Sequence, residues 1–162
     1  MLACPQFSRS RARSAAGFTL LELMMVGVVA GVLLAIAVPS YRKIIEHQRV
    51  VACIADLGRI SMELEKYRTQ HGDFPDSLSE LSGIPQQDPW GHPYQFLNFN
   101  SNVPGINGKI RKDHNLHPLN SEFDLYSMGA DGKSVPPLTA KASRDDVIWA
   151  RDGSFIGLAS DY

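Results

Sequence analysis

The sequence predicts an α+β fold, with one long helix at its amino-terminal end followed by a head of antiparallel strands. Three observations predict it: an unbroken apolar run over residues 18–38, a helix-period apolar stripe directly after it, and short alternating segments separated by Gly, Pro, Asn and Asp from residue 73 onward. With 44% hydrophobic and 20% charged residues the chain has the composition of a folded protein, which excludes wholesale disorder. A net charge of −1, with the basic residues dispersed, leaves no electrostatic footprint for nucleic acid.

Residues 1–17 carry Arg9, Arg11 and Arg13 and no acid, with Ser and Ala between them. A basic head before a hydrophobic run is the pattern of a targeting segment, so residues 1–17 are expected to be a leader that is removed. Cys4 would leave with it, and Cys53 alone would remain, so no disulfide within the mature chain is expected. Residues 18–38 read FTLLELMMVGVVAGVLLAIAV, long enough to span a bilayer, which takes roughly 20 apolar residues. The run exceeds the hydrophobic region of a cleaved secretory signal, about 7–15 residues, so it is expected to be retained.

Glu22 interrupts that run. A carboxylate near the centre of a membrane helix costs on the order of 2.5–3.5 kcal/mol, which makes it a functional candidate by default. At the interface it would instead be solvated, and its closeness to Gly17 leaves that reading open. If it is embedded it needs a cation, and no basic residue lies within the run. The partner must then be a chain terminus or another subunit. Orientation does not follow from charge, because Arg42, Lys43 and Arg49 after the span balance the three arginines before it.

Residues 39–72 continue as an amphipathic helix. Tyr41, Ile44, Val51, Ile54, Leu57, Ile60, Leu64 and Tyr67 recur at steps of three and four, and His71-Gly72 supplies a stop. Pro39 lacks an N–H and is expected to bend or loosen the helix at the junction. In the head, residues 73–162, Ser77 and Glu80 have capping-box spacing for a short helix closed by Gly83. Asp88-Pro89-Trp90-Gly91 reads as a turn, and strands are expected over Tyr94–Phe99, Glu122–Ser127 and Asp146–Trp149. Gly153 marks a turn before Phe155-Ile156-Gly157-Leu158, and Trp90 and Trp149 are expected to anchor the core.

Gly17-Phe18-Thr19-Leu20-Leu21-Glu22-Leu23 resembles the type IV prepilin signature: a basic leader ending in Gly, then Phe, then an acid at the fifth mature position. Asp88-Pro89-Trp90-Gly91-His92-Pro93-Tyr94 and Phe123-Asp124-Leu125-Tyr126-Ser127-Met128-Gly129-Ala130-Asp131-Gly132, with Asp145-Asp146-Val147-Ile148 after them, resemble the major pseudopilins of type II secretion systems. The resemblance implies a type IV pilin-like fold, cleavage between Gly17 and Phe18 by a prepilin peptidase, and N-methylation of Phe18. It implies an amine on Phe18 that pairs with Glu22 of a neighbouring subunit. It also implies a single-pass protein of the bacterial inner membrane, its head in the periplasm, that polymerises with itself and other pseudopilins on an inner-membrane assembly platform. The expected role is structural, driving exoprotein export without catalysis.

Calcium is the one cofactor implied. The ion takes 6–8 oxygens, and Asp131, Asp145 and Asp146 could converge if their loop folds back. The resemblance adds the Met128 carbonyl. The loop departs from the family pattern in Pro136-Pro137 and in Lys133, Lys141 and Arg144. The competing reading of these acids is a turn and a solvated pair. Other candidates are weaker. His114 and His117 lack a third ligand for zinc, Cys53 suits a small apolar filler, and no nucleophile elbow or phosphate loop occurs. Two rival functions stand beside the favoured one. A type IV pilin or minor pilin would usually carry a C-terminal cysteine pair, absent here; a membrane-anchored binding or enzymatic domain would be indifferent to Glu22.

Overall fold

The structure, a computed structural model, describes residues 17–101, 105–113 and 117–162. Most of the basic leader, including Arg9, Arg11, Arg13 and Cys4, and His114 of the histidine pair lie outside the described residues. Helix α1 runs Leu20–His71, and among the described residues four strands follow: β1 (Gln95–Asn98), β2 (Phe123–Ser127), β3 (Val147–Ala150) and β4 (Phe155–Leu158). The chain forms two compact units, Met1–Arg42 and Lys43–Tyr162.

In the first unit the described residues are all exposed, from Gly17 to Arg42. Leu21, Met25, Val28, Leu33 and Ile36 are among the bare apolar side chains, each more than half accessible. A helix this long and apolar can cross a membrane, and α1 is the one such helix among the described residues. Pro39 lies inside α1. The neighbouring Ser40 hydroxyl donates to the Ile36 carbonyl at 3.0 Å, adding a side-chain bond beside the position where proline supplies no N–H.

In the second unit the rest of α1 lays one face on a sheet of order β1-β2-β3-β4, antiparallel throughout. Cys53, Leu57, Ile60 and Leu64 are fully buried on that face, with Val50, Ile54 and Tyr67 at its margins. The expected stripe is therefore right from Ile54 onward and wrong before it. Tyr41, Ile44 and Val51 are exposed, because the buried face enters through Val50 and Cys53 and Val51 lies about 100° round the helix from Val50.

The strands obey the period of two. Phe123 and Leu125 of β2 and Val147 and Trp149 of β3 face α1, where Phe123 stacks on Trp149 with ring centres 4.4 Å apart. Ile148 and Ala150 face the other way and meet Leu119, Leu138 and Ala159 from the loops, so that the sheet is covered on both sides. Leu125 pairs with Trp149, Tyr126 with Ile148 and Ser127 with Val147, which fixes the register. The Ser77–Glu80 signal forms a capping box as expected, on a single 3₁₀ turn, Leu78–Glu80, and Gly83 follows at φ +77°.

Candidate functional site

Two places concentrate the singled-out residues: the start of α1 and the loop between β2 and β3. They lie in different units and are described separately.

At the start of α1, Gly17 and Phe18 are exposed and precede the helix. Among the described residues, a Cβ on Gly17 would meet nothing within 4 Å. Thr19 caps the helix: its hydroxyl oxygen accepts the Glu22 N–H at 3.2 Å, and its carbonyl accepts the Leu23 N–H at 3.2 Å. Glu22 is thus the third helical residue, in the first turn. The sequence reading missed Thr19, although Thr19-Leu20-Leu21-Glu22 has the same capping-box spacing as Ser77 to Glu80. A carboxylate in a first turn gains about 0.3–1 kcal/mol from the helix dipole. That is well short of the roughly 2.5–3.5 kcal/mol cost of embedding it. Among the described residues no salt bridge includes Glu22.

In the head, Asp88 organises the loop region. It is 5% exposed, and its Oδ1 accepts the Trp90 N–H at 3.0 Å and the His92 N–H at 2.8 Å. Its Oδ2 accepts the Ser127 hydroxyl at 2.5 Å, joining the Asp88-Pro89-Trp90-Gly91 turn to the end of β2. Trp90 packs half-buried against the core, as expected, and its indole also donates to Glu46 of α1 at 2.7 Å. His92 Nδ1 lies 3.0 Å from the Gly129 carbonyl, and a Cβ on Gly132 would come within 2.7 Å of His92 Nε2. Gly129 itself sits at φ +62°, with the Asp145 carbonyl where a Cβ would be.

Met128, Asp131, Asp145 and Asp146 are brought into one loop but do not converge on one point. Asp145 Oδ2 accepts the Asp131 N–H at 3.0 Å, and Asp131 Oδ1 accepts the Lys133 N–H at 2.8 Å, so these two carboxylates brace the turn beside Gly129. Asp146, the residue just before β3, takes its partners from the Arg111 segment instead. It is fully buried, paired with the Arg111 guanidinium, and accepts the Ser134 hydroxyl at 2.6 Å. Among the described residues no group of three or more His, Cys, Asp or Glu is placed to hold a metal ion. The donor set, divided between two groups of partners and engaged with protein N–H, O–H and guanidinium groups, does not fit one calcium shell of 6–8 oxygens.

Burial shapes the acids and the thiol. It pushes the Asp146 carboxyl above its usual range, with the Arg111 charge pulling against it. Asp124, which accepts the Arg111 backbone N–H and the Asn120 amide, is pushed up to about 6. The Cys53 thiol is pushed up to about 11, again by burial, so at neutral pH it is a protonated core atom and no nucleophile.

Comparison with known proteins points one way. The chain is 32% identical over 142 residues to the type II secretion system core protein G of Pseudomonas aeruginosa, covering 75% of this chain and 87% of the relative. The core protein G of Klebsiella pneumoniae is 30% identical over 155 residues, 81% of this chain and 91% of that one. That of Aeromonas hydrophila is 29% identical over 143 residues, 75% and 87%. No family model matches the chain, and no solved structure matches it. The relatedness over most of both chains, the single apolar helix suited to a membrane anchor, and the α+β head behind it agree: the chain belongs to the core protein G family of type II secretion systems, the major pseudopilins.

Proposed function

We propose that this chain is a structural subunit of a type II secretion pseudopilus, stored in the inner membrane through α1 and polymerised through the same segment. The observation that carries the reading is Glu22, a lone acid in the first turn of a helix whose first unit is otherwise bare apolar surface. Such a surface suits a bilayer before assembly and the flanks of identical helices after it. Cleavage between Gly17 and Phe18 creates a cationic amine four residues before Glu22. In a lipid or helix-packed surrounding a carboxylate and an amine select one another strongly, because neither has water as an alternative. The amine of Phe18 on one subunit meets Glu22 of the next, and the register of the filament follows. The head remains in the periplasm, and the subunit works with other pseudopilins and an inner-membrane assembly platform. Its part in export is mechanical and not catalytic.

The test is intact mass and filament formation in the native host, for the wild type and for Glu22→Ala. The expected mature chain begins at N-methylated Phe18, and Glu22→Ala is processed yet yields no filament. An unprocessed chain starting at Met1, with filaments or export indifferent to the substitution, overturns the proposal.

A further inference from the structure

The β2–β3 loop and the segment before it share a closed set of buried polar groups. Arg111 is 2% exposed although no helix or strand holds it. Its backbone N–H donates to Asp124 Oδ2 at 2.7 Å, and its carbonyl accepts the Leu119 N–H at 3.1 Å. Its guanidinium lies over the ring of Tyr126, 3.9 Å from the centre, and contacts Asp146 and the Ser134 hydroxyl. Ser134 in turn donates to Asp146 at 2.6 Å, so a cation, an anion and a hydroxyl form one closed triangle. The loop is sewn on either side of that triangle. Ser143 Oγ donates to the Val135 carbonyl at 2.8 Å and accepts its N–H at 3.0 Å. Lys112 donates its N–H to the Pro136 carbonyl, and its own carbonyl accepts the Leu138 N–H.

Among the described residues, two buried polar atoms in this region have no hydrogen-bond partner, Arg111 Nε and Asp146 Oδ1. An orphaned carboxylate oxygen alone could be read as a place for a metal. Here the other orphan is the complementary N–H of the ion pair's own guanidinium. A bidentate fork, with two guanidinium nitrogens on two carboxylate oxygens, satisfies both at once. The need is internal to the pair.

We infer that in this chain the β2–β3 loop is stapled by the Arg111 guanidinium on Asp146 and Ser134, a cation supplied by the chain itself, and that folding of the head is therefore independent of calcium. A divalent ion joins loop carboxylates by giving them one shared positive charge. Arg111 does the same for Asp146, from a segment 35 residues earlier in the sequence. The aromatic face of Tyr126 and the Asp124 anchor on the Arg111 backbone hold that charge in position. Asp131 and Asp145 are left with the smaller task of bracing the turn at Gly129. The inference rests on the head alone and survives or fails separately from the filament proposal.

The experiment is thermal unfolding of the full-length protein in detergent, after metal removal, with and without added calcium, together with radioactive calcium binding by equilibrium dialysis. A resident calcium at a hundred times its Kd would raise Tm by roughly 10 °C. The expected result is no shift with calcium or chelator, and no stoichiometric binding. Asp146→Asn and Arg111→Gln should each lower Tm and expose residues 128–146 to protease, with no rescue by calcium, while Asp131→Ala should leave Tm nearly unchanged. One equivalent of bound calcium, or a fall in wild-type Tm on chelation, overturns the inference even if the Arg111 variant does not fold.

Discussion

Replacing Asp88 by alanine probes the joint between the Trp90 turn and β2. Asp88 accepts three hydrogen bonds, from the N–H groups of Trp90 and His92 and from the Ser127 hydroxyl. Trp90 and His92 are half-buried, so water can partly replace the lost acceptor, and each bond is worth about 0.5–1.5 kcal/mol. Ser127 is fully buried, and its hydroxyl, though it also accepts the Gly129 N–H, keeps a proton with no carboxylate to take it. That orphan costs about 1–3 kcal/mol. The sum for Asp88→Ala is about 2–6 kcal/mol, less whatever is recovered by no longer burying a carboxylate, so about 2–4 kcal/mol is expected. At roughly 3–5 °C per kcal/mol for a head of this size, Tm should fall by about 6–20 °C. Urea or thermal unfolding of the full chain in detergent, followed by Trp90 and Trp149 fluorescence, measures it. Ser127→Ala closes a double-mutant cycle, in which the pair should couple by about 1 kcal/mol or more. A loss under about 0.5 kcal/mol for Asp88→Ala, or no coupling to Ser127, would refute the reasoning that this turn is held from β2.

Gly129→Ala should prevent the loop from closing, since its Cβ would stand 2.2 Å from the Asp145 carbonyl at a positive φ. Limited proteolysis should then cut between β2 and β3 in the variant and not in the wild type, whereas Gly72→Ala, strained in φ but with open space around it, should remain resistant there. Asp124 sets a pH dependence: with its folded pKa raised to about 6 from the ordinary carboxyl value of 3.8, the folded state keeps a proton that the unfolded chain releases. The stability it contributes is present in full below about pH 4 and lost as pH rises through about 6, a difference of up to about 3 kcal/mol. Asp146 and Arg111 also face this region, so the check is the difference between wild type and Asp124→Asn. Between about pH 4 and 7 the wild type should lose up to about 3 kcal/mol relative to Asp124→Asn; parallel curves over that range would show that Asp124 does not titrate in this way.

The fold was legible wherever one residue type dictates a local answer. The apolar run, the Ser77–Glu80 cap, the Gly-bounded strands and the two-residue alternation of Phe123 and Leu125 each carry their own period or spacing. The apolar stripe was legible only in part. Tyr41, Ile44 and Val51 have the helical spacing of a core face, but the sheet does not cover them, and where a partner layer ends is not written in the helix that meets it. The candidate site divides in the same way. Gly17, Phe18 and Glu22 lie within six residues of one another, so their grouping is a local fact. The company of Asp146 is not: Arg111 comes from an irregular segment, and nothing in its neighbourhood marks it as a buried cation.

Asp146 and Glu22 present the same physical problem in two settings. Asp146 is a carboxylate removed from water, Glu22 becomes one wherever α1 is embedded, and each then needs a positive charge close by. The head answers Asp146 from within the chain, through Arg111, so a single subunit can fold and wait with that account settled. The apolar run around Glu22 offers no basic residue, and Thr19 supplies only the cap that fixes its place in the first turn. A demand met internally makes a stable monomer; a demand left open in a lipid-facing helix favours association with whatever brings a cation at the right depth. In the proposed filament the cleaved amine of a second copy would be such a cation, carried on an identical helix. On that proposal the head meets its buried charge from within the chain, and the dependence on other copies is concentrated at Glu22.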